Sequence, residues 1–324
     1  MVAEIFKGRN PTVHIGGDYP GFKNPAGGSE FFITEACEYH KSFLKLYPDF
    51  SLILNTELDH TDYYRGPEEY FAAFCDFAGQ SEKASVLGDD DGLFCLAQCC
   101  GYATFGLSGR NDYTVKNVVK TACGRKFDIC EKGALLVRAE LNIPGAHNVL
   151  NALAAATAAR AYGVSAEEIA AGLGRFQSVG RRFEFLGSKD GTRVYSDYAH
   201  HPTELAAMIA SAREVNGGKL AVVFEPHTYT RTQSLYREFA RSLSAADEVI
   251  LAPVYASRDK PVKGVTSRLI LEEMKRLGYR DGAYERRYED IFERLKKSAG
   301  KNGVIVFAGA GTVDEFAREF VSGQ

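Results

Sequence analysis

Apolar residues along the chain gather in short continuous runs, each closed by polar or glycine-rich residues. Such runs lie at 30–34, 51–55, 193–196, 219–224, 248–252 and 303–308. Runs without alternation suit strands buried on both faces, as in parallel sheets. Between several of them the apolar spacing turns helical, at 202–215, 234–245 and 267–277. Strand alternating with helix predicts an α/β fold. Residues 94–141 differ, with Gly106, Gly109, Gly124 and Gly133 separating short alternating pieces, which predicts an antiparallel β insertion. An alanine-rich helix is expected over 148–162, and another over 165–173 with Ser165 as N-cap and Glu168 three residues on. Helical pattern gives way to Arg181-Arg182-Phe183-Glu184 near Gly180, so two domains are expected, 1–179 and 180–324.

Composition narrows the function classes. The 324 residues carry a formal net charge of −3, with no stripe of Lys and Arg. Nucleic acid and anionic membrane surfaces are therefore poor partners. No apolar stretch approaches the roughly 18 residues of a membrane span. The first residues lack the basic-then-apolar pattern of a signal peptide, so a cytoplasmic location is expected. The seven cysteines are odd in number and lack paired CxxC spacing, which argues against a disulfide framework or structural zinc. Cys95-x3-Cys99-Cys100 could in principle bind a metal, but free buried thiols are the expectation.

Candidate chemistry sits where runs end, because open α/β sheets bind ligands beyond the carboxyl ends of their strands. Glu35 and His60 follow the two earliest runs and could hold a divalent cation that bridges nucleotide phosphates. Solvated loop residues are the plain alternative. In His147-Asn148-Val149-Leu150-Asn151, two amides three apart share a helix face and suit a nucleotide, or Asn148 is an ordinary helix cap. Asp197-Tyr198-Ala199-His200-His201-Pro202-Thr203-Glu204 puts an acid, an aromatic ring and two histidines before a helix opened by proline. Adjacent histidines lack metal-ligand spacing, so contact with a charged substrate is expected. Pro226-His227-Thr228-Tyr229-Thr230-Arg231 offers a guanidinium fork for a carboxylate or phosphate, and Tyr255 follows the next run. Gly309-Ala310-Gly311-Thr312 could let a ligand approach the backbone closely.

Taken in order, these motifs resemble the Mur ligases from about Pro11 to the end. The added motifs are Glu35-Ala36-Cys37-Glu38-Tyr39, Asn55-Thr56-Glu57-Leu58-Asp59-His60 and Gly180-Arg181-Arg182-Phe183-Glu184. The resemblance implies part of a central ATPase-type parallel sheet with a small β insertion, then a Rossmann-like C-terminal α/β domain. It also implies ATP and Mg2+ as cofactors, and amide-bond formation through an acyl phosphate in peptidoglycan synthesis. The HHPTE and PHxYTR pair points within the family to L-alanine and UDP-N-acetylmuramate as substrates. A branch that recycles murein peptides shares much of the pattern.

By resemblance, Glu35 and His60 are magnesium ligands, and His147, Asn148 and Asn151 are nucleotide contacts. Arg182 and Asp197 reach ATP from the C-terminal side. Tyr198, His200, His201, Arg231 and Tyr255 line the amino-acid and acyl-phosphate pocket, with Arg182, Asp197, His200 and Arg231 catalytic. Thr228 stands where many relatives have arginine, and Ala36-Cys37 replaces a commoner Ala-Asp. No GxxxxGK[ST] phosphate loop occurs, and Met1 to Asn10 would join the family pattern just after it. One side of the central sheet is then expected to lie uncovered. The expected partner is a UDP-binding, phosphate-loop half, without which the chain should be inactive; a non-catalytic ligand-binding remnant is the other expectation.

Overall fold

The computed structural model describes residues 1–22, 27–215, 218–298 and 303–323, without the side chain of residue 298. The chain divides into two compact units, Met1–Gln177 and Ser178–Gln324.

The first unit opens with a short helix α1 (Val2–Ile5), then β1 (Pro11–His14) and β2 (Phe31–Thr34), a separate parallel pair. Its main sheet takes β3 (Phe50–Ile53), β4 (Lys83–Leu87), β5 (Ala103–Phe105), β6 (Tyr113–Lys120), β7 (Arg125–Glu131) and β8 (Ala134–Leu141), in that order. The first four run parallel, and β6, β7 and β8 form an antiparallel meander. The expected insertion is thus the edge of the main sheet, and it begins later than residue 94. Residues 94–100 belong instead to α3 (Asp91–Cys100), which follows α2 (Pro67–Gly79). The reason is local: Asp90 caps α3 by accepting the Leu93 amide, and Gly101 ends it in the left-handed region. Those signals outweigh a stretch of weak intrinsic helix preference.

The alanine-rich helix forms as α4 (His147–Ala161), and every residue from Ala152 to Ala159 is buried. Small side chains let it pack closely along the sheet, where it contacts β3, β4, β5, β6 and β7. Helix α5 (Ala166–Arg175) carries the expected capping box of Ser165 and Glu168.

The second unit is a six-stranded sheet in the order β13-β12-β11-β14-β10-β9. Its elements are β9 (Glu184–Lys189), β10 (Thr192–Asp197), α6 (Pro202–Val215), β11 (Leu220–Phe224), α7 (Tyr229–Leu243), β12 (Glu248–Leu251), α8 (Arg268–Arg276), β13 (Gly282–Tyr284), α9 (Tyr288–Ser298), β14 (Val304–Ala308) and α10 (Val313–Ser322). All neighbours pair in parallel except the edge strand β9. Alternate side chains feed opposite faces: Leu220, Val222 and Phe224 join one core, while Ala221 and Val223 join the other. Burial on both faces is why these strands read as unbroken apolar runs. Their carboxyl ends deliver Asp197, Glu225, Ala252 and Gly309 to one edge of the sheet.

Candidate active site

In the first unit, the Glu35 amide donates to the His14 carbonyl at 3.0 Å. Its exposed carboxylate accepts the Gly16 amide on Oε2 at 2.8 Å. His60 lies beyond β3 in a left-handed backbone conformation, φ 52°. Its own amide donates to Asp59 Oδ1 at 2.6 Å. Its Nε2 sits 3.0 Å from Glu38 Oε1, and its ring packs on Tyr39. Burial works against the Glu38 charge, but the His60 hydrogen bond and charge outweigh it and hold that carboxyl below its usual range. The partner given to His60 here is thus Glu38, whose signal in the sequence was only its place in the motif that begins at Glu35. Among the described residues, no group of three or more His, Cys, Asp or Glu is arranged to hold a metal ion.

His147 is the exposed first residue of α4. Asn148 does not cap that helix. Its Nδ2 donates back to the Pro144 carbonyl at 2.7 Å, because the preceding turn brings an acceptor, not a free amide, to that side chain. Asn151 Nδ2 reaches Asn148 Oδ1 at 3.5 Å, so the two amides do share a face.

The second unit gathers more of the candidate residues. Asp197 ends β10, is buried, and accepts two amides: Phe183 on Oδ2 at 2.8 Å and Ala199 on Oδ1 at 2.7 Å. Burial pushes its carboxyl up to about 6, against those amides and nearby Arg182. Arg181 and Arg182 both lie over the Tyr198 ring, at 4.7 and 5.4 Å. Arg181 also donates to the Gly309 and Gly311 carbonyls. Glu204, in the first turn of α6, collects the His200 amide at 2.9 Å, the His201 amide at 3.2 Å and Arg182 Nη1 at 3.5 Å. Burial opposes its charge, but His200, those amides and Arg182 together hold the carboxyl below its usual range. His200 Nδ1 is 3.0 Å from the Tyr198 carbonyl, which can only accept, so that nitrogen carries a proton.

A second group abuts the first, since the His200 and His227 rings lie 5.8 Å apart. His227 stacks on Tyr255 at 5.7 Å and bridges to it in parallel register. Arg231 is buried and donates to His227 Nδ1 at 3.0 Å. Thr228 caps α7 by accepting the Arg231 amide at 3.4 Å, which gives the residue in place of an arginine a structural task. Asp259 ties the loop after β12 to the same helix start through Thr230, at 2.7 and 3.0 Å.

At the glycine pair after β14 the protein's own side chains come close. A Cβ on Gly311 would meet Glu225 Oε2 at 2.1 Å and Tyr255 at 2.6 Å, so the close approach is made by the protein itself. Buried Glu225 accepts from Tyr288, Thr312 and the Val313 amide, filling the start of α10. Arg181 and Glu204 lay inside quoted motifs and Glu225 directly before one. Glu204 meets His200 and His201 within its own motif, whereas the partners of Arg181 and Glu225 are too distant in sequence to be read from spacing.

Parallel-dominated sheets with polar clusters at their carboxyl ends place the chain in the α/β class with a candidate ligand site, and the described helices include none long and apolar enough to cross a membrane. Residues 13–159 match the Mur ligase middle domain, and residues 181–311 match the domain described as Mur ligase, glutamate ligase domain. The chain belongs to the Mur ligase family, whose members are ATP-dependent and form amide bonds. It is 37% identical, over 97% of its length and 70% of the relative's, to the UDP-N-acetylmuramate--L-alanine ligase of Clostridium acetobutylicum. The enzyme of that name from Acetivibrio thermocellus is 35% identical, over 96% of this chain and 68% of its own length. Among solved structures, the UDP-N-acetylmuramate-alanine ligase of Thermotoga maritima superposes with a TM-score of 0.78 at 26% identity, covering 99% of this chain and 71% of that one.

Proposed function

We propose that the chain contributes the nucleotide-facing middle domain, 1–179, and the amino-acid-facing C-terminal domain, 180–324, of a ligase joining L-alanine to UDP-N-acetylmuramate. The observation that carries this is the 37% identity to an alanine-adding enzyme across both units. A carboxylate is a poor electrophile. Attack of its oxygen on the γ-phosphorus of ATP releases ADP and leaves an acyl phosphate. The alanine amine then attacks the acyl carbon, loses a proton, and expels inorganic phosphate. Positioning and charge neutralisation supply most of the acceleration.

Each residue has a task in that scheme. Arg231, buried against His227, is the guanidinium fork for the alanine carboxylate. Arg182 is half exposed, so it can turn from Glu204 toward phosphate oxygens. His200, with Nδ1 committed to a carbonyl, presents Nε2 to the pocket beside Tyr198, His201 and Tyr255. Asp197 acts as a positioning residue, because both of its oxygens are engaged by backbone amides. His147, Asn148 and Asn151 face the nucleotide from the middle domain. Magnesium, when bound, neutralises phosphate charge. Glu35 fits it as an exposed oxygen donor, since this ion takes one or two carboxylates beside phosphates and water. His60 would have to leave Glu38 to join.

The 324 residues contain no GxxxxGK[ST] loop, so the cradle for the β- and γ-phosphates comes from a segment or polypeptide outside them. The chain alone is therefore expected to be inactive. Phosphate release should be measured with UDP-N-acetylmuramate, ATP and L-alanine, with and without a relative's N-terminal half. Alanine-dependent release only in the complemented mixture supports the proposal. Release with a murein tripeptide and not with alanine would assign the recycling branch instead. Nucleotide or alanine binding without release in any mixture would make the chain a ligand-binding remnant.

A further inference from the structure

The cysteines are not the buried thiols expected: Cys37, Cys95, Cys99, Cys100 and Cys123 are exposed, Cys75 is half-buried and only Cys130 is buried. Two of them form a defined pair. Helix α3 buries Leu93 and Ala97 against the sheet, which turns Cys95 and Cys99 together to the opposite, solvent face. Residues four apart on a helix hold their Cβ atoms about 5–6 Å from each other. A disulfide needs roughly 3.5–4.5 Å between Cβ atoms, so this pair cannot close one while α3 stays helical. Two thiolates bridged by one metal ion suit the wider span, because each metal–sulfur bond is about 2.3 Å. The helix is held at both ends, by Asp90 capping its start and Gly101 its finish, so the spacing is fixed before any ion arrives.

The chemistry of the ion follows from what surrounds the pair. A tetrahedral zinc site needs four ligands, and no group of three or more His, Cys, Asp or Glu is arranged for metal among the described residues. Two thiolates alone satisfy a soft monovalent ion that accepts low coordination, and thiolates select Cu(I). Cys100 is turned elsewhere on the helix, toward Tyr102 and Cys75. We propose that Cys95 and Cys99 on the outer face of α3 form a two-thiolate site for a soft monovalent cation of the Cu(I) type. The site lies outside every residue assigned to the ligase chemistry and does not depend on that assignment.

The test is a titration of the reduced 324-residue chain with Cu(I) under anaerobic conditions, in competition with a chromogenic chelator. The unchanged chain should withdraw one Cu(I) equivalent. Cys95→Ser and Cys99→Ser should each weaken that binding beyond the roughly hundredfold that loss of a mere supporting partner costs. Cys75→Ser, Cys100→Ser and Cys123→Ser should leave it unchanged. Because both ligands are exposed, the serine variants should keep the parent circular dichroism spectrum and melting curve. Undiminished binding by Cys95→Ser and Cys99→Ser, or loss of binding in Cys100→Ser alone, would overturn the proposal. So would failure of the unchanged chain to compete.

Discussion

The Arg231 guanidinium donates to Nδ1 of His227 across 3.0 Å. Arginine has no acceptor and stays protonated, so Nδ1 must hold a lone pair, and the proton of a neutral His227 ring sits on Nε2. The same ring stacks on Tyr255 and faces His200. One buried cation thus sets the tautomer of a histidine at the centre of the candidate pocket.

Replacing that cation with lysine should disrupt the pocket although charge is kept. Lysine is a point charge without a planar fork, so it cannot serve His227 and a carboxylate together. Arg231→Lys is expected to raise KM for L-alanine roughly 10- to 100-fold, the equivalent of one charge-assisted hydrogen bond. Steady-state kinetics in the complemented assay would show it. An unchanged KM would remove Arg231 from amino-acid recognition.

Asp197 makes a prediction about pH. Burial raises its carboxyl from the ordinary 3.8 to about 6. Between those values the folded chain holds a proton that the unfolded chain releases, so this group lowers stability as pH rises from about 4 to about 6. The loss is on the order of 3 kcal/mol for about two pKa units. In Asp197→Asn that step disappears, while the amide can no longer accept from both Phe183 and Ala199. Urea denaturation at pH 4.5 and pH 7 should show the variant least stable relative to the parent at the lower pH. A constant difference between the two proteins would contradict the titration of Asp197.

What the sequence disclosed depended on how local the deciding interaction was. Helix α6 is bounded at Pro202 and Val215 as expected, because proline at its start and the apolar spacing are signals carried by the segment itself. The Ser165–Glu168 capping box was legible for the same reason. Residues 94–100 were misplaced because a helix with three Cys and a Gly has weak propensity, and its caps at Asp90 and Gly101 lie outside the apolar pattern. Strand β4 went unnamed, since Ala84 and Ser85 interrupt its apolar run although both are buried. At the site, the motifs marked where chemistry gathers, but not who meets whom. Glu225 finds Tyr288 and Thr312, and Arg181 finds Gly309 and Gly311, across long stretches of chain.

Glu204 should prove to be more than a helix-opening residue. It receives two histidine amides and an arginine, so Glu204→Ala leaves three donors without their acceptor. Destabilisation of about 1–3 kcal/mol is expected from the unmet amides. Its folded carboxyl is depressed, so its stabilising contribution is present above the unfolded pKa and fades as pH falls through the folded one. The parent and Glu204→Ala should therefore differ most at neutral pH and converge in acid. Divergence toward low pH would show that the carboxylate charge is not what holds the turn.

The glycine after β14 tests how tightly the pocket wall is built. At Gly311 an added methyl group would press on Glu225 Oε2 and on the Tyr255 ring. Glu225 cannot retreat, because Tyr288, Thr312 and the Val313 amide hold it in place. The ring must yield instead, and it carries the stacked His227 with it. Gly311→Ala is expected to cost about 1–3 kcal/mol, the usual penalty for overpacking. Gly8→Ala, where a methyl group meets nothing within 4 Å, is the matching control and should be near neutral. Denaturation midpoints would compare the two, and KM for L-alanine in the complemented assay would report the displaced Tyr255–His227 stack. Equal midpoints would mean that the loop has slack, and that Gly311 was free to serve an incoming ligand after all.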